Sequence, residues 1–178
     1  MYRILLQIFR TGFVNEPAPA PDPDMLVLGH QLDAAARRRY GRSLAIRHVD
    51  SGSCNLCEQE INALHNPFYN LEGLGFHFVA SPRHADLLLV TGPVSRNMEG
   101  ALRDTYDAMP APRLVVATGS CARDGGMFGC SYATIGGVDK VLPVDVYIPG
   151  CPPDPRTLMQ GLLSAVREPG PQAVAEQG

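Results

Sequence analysis

No stretch of this chain approaches the roughly 20 consecutive apolar residues that span a bilayer. Its longest apolar runs, Leu87 to Val90 and Leu114 to Ala117, are far shorter, so no transmembrane helix is expected. Charge of one sign is not in excess either. A net charge of −3 and a pI near 5.9 give no reason to expect a nucleic-acid surface or a nucleic-acid partner. Internal repeats are absent. The opening segment, Met1 to Arg10, is interrupted by Gln7 and lacks a small-residue cleavage site, which predicts no secretory signal. Five cysteines, an odd number, do not make a closed disulfide framework. They read instead as ligands in a reducing compartment. With 178 residues and 45% hydrophobic composition, the chain suits one globular domain once its flanks are trimmed.

What is present is a spacing of thiols. Cys54 and Cys57 lie in Gly-Ser-Cys-Asn-Leu-Cys-Glu, Cys121 in Thr-Gly-Ser-Cys-Ala-Arg and Cys151 in Ile-Pro-Gly-Cys-Pro-Pro. Each follows a short β-branched and aliphatic run. Strands are expected at Leu44 to Val49, Phe76 to Ala80, Asp86 to Thr91, Arg113 to Thr118 and Val144 to Ile148. Helical patterns fall between and after them, at Gln59 to Leu64, Met98 to Met109 and Pro155 to Val166, the last opened by Asp154 as N-cap with Pro155 at its first position. Regular alternation predicts an α/β fold, a parallel sheet with helices on both faces. Ligands of such sheets bind beyond the carboxyl ends of the strands. The pair Cys54 and Cys57 would follow the first strand, Cys121 the fourth and Cys151 the fifth, so all four reach one sheet edge.

Four thiolates with no histidine among them suit an iron–sulfur cluster or structural zinc. A Cys-x-x-Cys pair alone could be a redox dithiol, but Cys121 and Cys151 would then have no role. Structural zinc favours two close-spaced pairs, which this chain lacks. The spacing therefore favours one 4Fe-4S cluster, with a zinc or dithiol binding module as the alternative. Glycines 52, 119, 125, 126, 129 and 150 beside the thiols allow tight turns that present N–H groups to a negative cluster. Cys130 reads as a buried structural thiol.

The flanks differ in kind. Residues 1–15 contain Tyr2, Leu5, Leu6, Phe9 and Phe13 on a helical period and predict an amphipathic helix, docked on a partner subunit or on a membrane surface. Residues 16–28 read as a Pro-rich linker, 29–167 as the domain and 168–178 as a flexible tail. Glu58 and Glu60 open a helix, where the dipole favours carboxylates; proton transfer, with Glu60 preferred, is the more specific role. Arg83 and His84 read as a turn or an interface. His48 and His65 are expected to pack or bond locally. Arg37, Arg38, Arg39 and Arg42 form a solvated helix face or meet an anionic partner.

The stretch from Gly52 to about Val166 resembles the 20 kDa iron–sulfur subunit shared by respiratory complex I and the membrane-bound group 4 nickel–iron hydrogenases, including formate hydrogenlyase. The motifs are Ala-Ser-Pro-Arg-His-Ala-Asp at 80–86, Gly-Gly-Met-Phe at 125–128, Gly-Val-Asp-Lys at 137–140 and Pro-Val-Asp-Val-Tyr-Ile-Pro-Gly-Cys-Pro-Pro at 143–153. The resemblance implies a flavodoxin-like domain with Cys54, Cys57, Cys121 and Cys151 as cluster ligands and no complete active site of its own. It further implies a large catalytic subunit, a ferredoxin-like iron–sulfur subunit and integral membrane subunits as partners, on the cytoplasmic face of the cell membrane. Complex I subunits carry two adjacent cysteines at the first motif, whereas Cys54-Asn55-Leu56-Cys57-Glu58 matches the hydrogenase type. Leu56 departs from that pattern, which has glycine there, and Met98 to Asp107 resembles the complex I, NADH-quinone oxidoreductase, branch.

Overall fold

The computed structural model describes residues 2–12 and 23–167. Helix α1, Tyr2–Thr11, buries none of its residues. Phe13, expected on the same apolar stripe, lies outside the described residues, as do residues 16–22 of the expected linker and the tail 168–178.

The first departure from expectation follows at once. Helix α2, Pro23–Tyr40, takes residues 23–28 out of the linker. Pro23 at the first helical position costs no backbone hydrogen bond, Asp24 lies in the favourable first turn, and Leu28, Leu32 and Ala36 recur on one buried face. Residues 23–28, expected in the linker, are thus helical and continuous with the rest of α2.

Five strands then form one parallel sheet: β1 (Leu44–Asp50), β2 (Phe76–Phe78), β3 (Leu87–Thr91), β5 (Leu114–Thr118) and β7 (Val146–Ile148). Two shorter strands, β4 (Val94–Ser95) and β6 (Thr134–Gly136), pair antiparallel beside it. The order across the sheet is β2-β1-β3-β5-β7. Counted along the sheet alone this is 2-1-3-4-5, the flavodoxin-like doubly wound order. The strands are shorter than expected at Phe76 and Val144 because pairing stops where β1 and β5 run out of partners: β2 matches only Leu44 to Ile46, and β7 only Val116 to Thr118.

Period-two alternation sends side chains to two cores. Leu44, Ile46, Leu87, Leu89, Leu114, Val116 and Ile148 pack beneath α2, α3 (Leu56–Ala63) and α6 (Pro155–Arg167). Val49, Leu88, Val90, Val115 and Ala117 pack beneath α4 (Glu99–Asp107) and α5 (Gly119–Asp124). The face of α4 carries Met98, Leu102, Tyr106 and Met109 toward the sheet, as its periodicity predicts. Asp154 accepts from the Thr157 hydroxyl and backbone N–H, which holds its carboxyl below the usual range and opens α6. Arg39 donates to the carbonyls of Ala165 and Val166 at the end of the same helix, Arg37 pairs with Asp33, and Arg42 pairs with the buried Asp86. Three of the four arginines grouped in the sequence are thus spent on the fold.

Candidate metal centre

Every thiol of the predicted set stands just beyond the carboxyl end of a strand. The turn after β1 is built by Asp50, whose carboxylate accepts from the N–H groups of Gly52 at 2.8 Å and Ser53 at 2.7 Å. Asn55, just before the helix, has a positive φ of 71°, so Leu56 is free to be the first residue of α3 with its side chain half exposed. A glycine is therefore not required at Leu56. Cys121 lies in the first turn of α5, and the loop bearing Cys151 is tied to it through Ser120, whose N–H donates to the Gly150 carbonyl at 2.8 Å.

The thiols are close enough to act on one another. Burial, then the charges of Glu58, Cys54, Cys121 and Cys151, push the Cys57 thiol up to about 12. Cys121 is also raised, by burial and then by Cys151 and Cys54, while the Met127 N–H opposes the shift. Protein alone thus disfavours four thiolates here. Positive iron is the chemical complement of such a set, since metal binding displaces thiol protons. Among the described residues no group of three or more His, Cys, Asp or Glu side chains forms a site for a single metal ion.

Two glycines keep the cage open. A Cβ on Gly119 would stand 3.0 Å from Cys57 Sγ, and one on Gly126 would stand 2.8 Å from Cys121 Sγ. Both residues also have positive φ, 85° and 52°. The space a side chain would fill is next to sulfur in both cases, and the residues present fit a thiolate-held cluster. Cys57 is buried, Cys121 intermediate, and Cys54 and Cys151 are exposed. Cys130 is exposed too, which overturns the expectation of a buried structural thiol. Its loop runs along the surface after Met127 and Phe128, themselves exposed, rather than into either core.

Of the two glutamates, Glu58 is the one the fold organises. Its carboxylate accepts from Ser53 Oγ at 2.7 Å and from the Thr91 hydroxyl. Thr91 spends its proton there, so His48 Nε2, 2.9 Å from Thr91 Oγ1, is the donor in that bond. Burial lowers the His48 pKa, with the Glu58 charge opposing. Glu60 joins none of these bonds among the described residues. His65 packs against Phe78, and Arg83 and His84 are exposed on a single 3-10 turn. Sequence reasoning missed Ser53, Thr91 and Thr118. The available signal was that two of the apolar strand runs end on threonine, Leu-Leu-Leu-Val-Thr and Leu-Val-Val-Ala-Thr.

Large apolar side chains near these cysteines in the chain are exposed, Leu56 50%, Met127 87% and Phe128 47%. No helix among the described residues is long and apolar enough to cross a membrane.

Known proteins are similar to this chain. Formate hydrogenlyase subunit 7 of Escherichia coli is 42% identical over 135 residues, 76% of this chain and 53% of that protein. A probable membrane-bound hydrogenase subunit of Pyrococcus furiosus is 44% identical over 128 residues, 72% of this chain and 77% of its own length. This chain therefore spans about half the length of the formate hydrogenlyase subunit. A chain in the structure of the membrane-bound sulfane sulfur reductase, an archaeal respiratory membrane complex, superposes with a TM-score of 0.62 at 36% identity, covering 76% of this chain and 75% of that one. The profile of the NADH ubiquinone oxidoreductase 20 kDa subunit family matches residues 54–165, a span holding all four strand-end cysteines, and the chain belongs to that family.

Proposed function

We propose that this protein is the electron-transfer subunit of a membrane-associated oxidoreductase complex of the hydrogenase type, holding one 4Fe-4S cluster on Cys54, Cys57, Cys121 and Cys151. The observation that carries the reading is the convergence of those four cysteines just beyond the carboxyl ends of β1, β5 and β7, with Gly119 and Gly126 packed close against Cys57 and Cys121 sulfur. When bound, the cluster supplies one-electron chemistry. The chain's own residues do the rest: β1, β5 and β7 fix the ligand loops, Gly119 and Gly126 leave room for sulfur, and the Glu58, Ser53, Thr91 and His48 network holds the start of α3 in place.

The exposed cysteines and the exposed apolar side chains near them in the chain support a large catalytic subunit seated over this edge, with electrons exchanged with a ferredoxin-like subunit. Membrane subunits and a place on the cytoplasmic face complete the proposal. The Cys-x-x-Cys-Glu motif and the two hydrogenase-type relatives favour the hydrogenase branch over quinone reduction of the complex I kind. Iron counting and electron paramagnetic resonance on the anaerobically purified complex test the reading. Four irons per chain and a one-electron signal after reduction are expected, and a colourless protein containing zinc would overturn it.

A further inference from the structure

Thr118 closes β5, the strand that delivers Cys121, and is fully buried. Its hydroxyl has no hydrogen-bond partner among the described residues. Threonine in the position before a helix ordinarily caps it by accepting from a backbone N–H. Thr118 holds that position before α5 and makes no such bond. Its neighbours in the sheet offer nothing: Ile148 on β7 is apolar, while Thr91 on β3 already gives its proton to Glu58 and accepts from His48.

Buried hydroxyls in folded proteins nearly always have a partner, so the Thr118 hydroxyl is available to a group the protein itself does not supply. The residue that follows, Gly119, faces Cys57 Sγ closely enough that a Cβ there would be 3.0 Å away. Thr118 pairs in register with Thr91, whose hydroxyl donates to Glu58, the residue next to Cys57, so by alternation its side chain lies on the face of the sheet beneath α3. No cysteine sulfur is bonded to its hydroxyl, so the acceptor has to come from a group held by the cysteine set.

We propose that the Thr118 hydroxyl donates a hydrogen bond to an inorganic sulfur of the cluster and raises its midpoint potential, an inference that rests on the cluster reading above. Reduction adds one electron, whose charge spreads over the sulfurs. A donor aimed at sulfur stabilises the reduced state more than the oxidised one. Thr118 is thus a tuning residue, while the four cysteines remain the ligands.

Redox titration followed by electron paramagnetic resonance, on the anaerobically purified complex carrying T118V or T118S, tests this. T118V has nearly the shape of the native residue and should keep its iron. Its ratio of reduced to oxidised cluster at the wild-type midpoint should fall about tenfold, a downward shift of about 59 mV for one electron. T118S restores the hydroxyl and should restore the potential. A T118V cluster with full iron and the wild-type midpoint overturns the proposal and leaves Thr118 a purely structural residue. Should T118V fail to assemble, T118A reads the same shift without the added methyl, and an unshifted midpoint there is equally decisive. A wild-type complex without iron would overturn the cluster assignment itself, which separates the two failures.

Discussion

Cys121 and Cys130 lie nine positions apart, yet only one of them belongs to the thiol set. Cys121 is coupled to Cys151 and Cys54, while Cys130 stands exposed on a surface loop. Single Cys→Ser variants of Cys54, Cys57, Cys121 and Cys151 should each lose or alter the cluster signal, whereas Cys130→Ser should keep four irons and an unchanged spectrum. Loss of the cluster in Cys130→Ser, with any of the other four unaffected, would sink the assignment. Gly126→Ala makes a complementary prediction: a methyl 2.8 Å from Cys121 Sγ, on a backbone with φ of 52°, should lower iron occupancy without touching a ligand. The strand-end placement of the four cysteines was legible in the sequence because thiol spacing and alternation both survive in one dimension. The burial of Cys130 was not, since the general tendency of cysteine to be buried says nothing of a loop that runs outside both cores. Nor was the hydrogen-bond network of Glu58, which depends on Thr91 and Ser53 arriving from other turns.

At the scale of elements, the alternation of short apolar runs with helical periods was enough to predict the parallel sheet, while α2 went unseen. Its first turn shares the Pro- and Asp-rich composition of the preceding segment, and its buried stripe of Leu28, Leu32 and Ala36 is set among alanines and arginines. Helix α6 shows how closely the layers meet. A Cβ on Gly161 would fall 2.4 Å from Cγ1 of the buried Ile148 on β7. Gly161→Val should overpack this contact and cost about 1–3 kcal/mol, outweighing the gain in helix propensity. Thermal unfolding should then fall by roughly 2–12 °C for a chain of this size, and an unchanged midpoint would show that α6 can shift away freely. Helix α1 makes the opposite case, since Tyr2, Leu5, Leu6 and Phe9 are all exposed. Each would gain roughly 1.5–3 kcal/mol on full burial, which is ample for a docking element. Deleting residues 1–15 should leave the cluster spectrum intact and release the soluble subunits from the membrane fraction. Retained membrane association after deletion would remove the anchoring role.

For the whole molecule, the four strand-end cysteines gather at one edge of the sheet, and part of that edge is exposed. Cys54 and Cys151 are exposed, and Leu56, Met127 and Phe128 present apolar surface close by. A relay centre needs its partner close, and exposed cluster sulfur is open to oxidants, so both demands are met by a subunit seated over this edge. The chain separated from its complex should consequently lose its visible absorption in air much faster than the assembled complex, and should self-associate as concentration rises. Replacing Met127 and Phe128 by glutamate should suppress that self-association and also prevent the large subunit from co-purifying, because a desolvated charge in an apolar interface is costly. Iron content in the anaerobic variant must stay at the wild-type value for the result to report on docking rather than on cluster loss. A variant that binds its large partner as the parent does, or a parent chain that stays monomeric in air with its colour intact, would show that this edge is not the covered face.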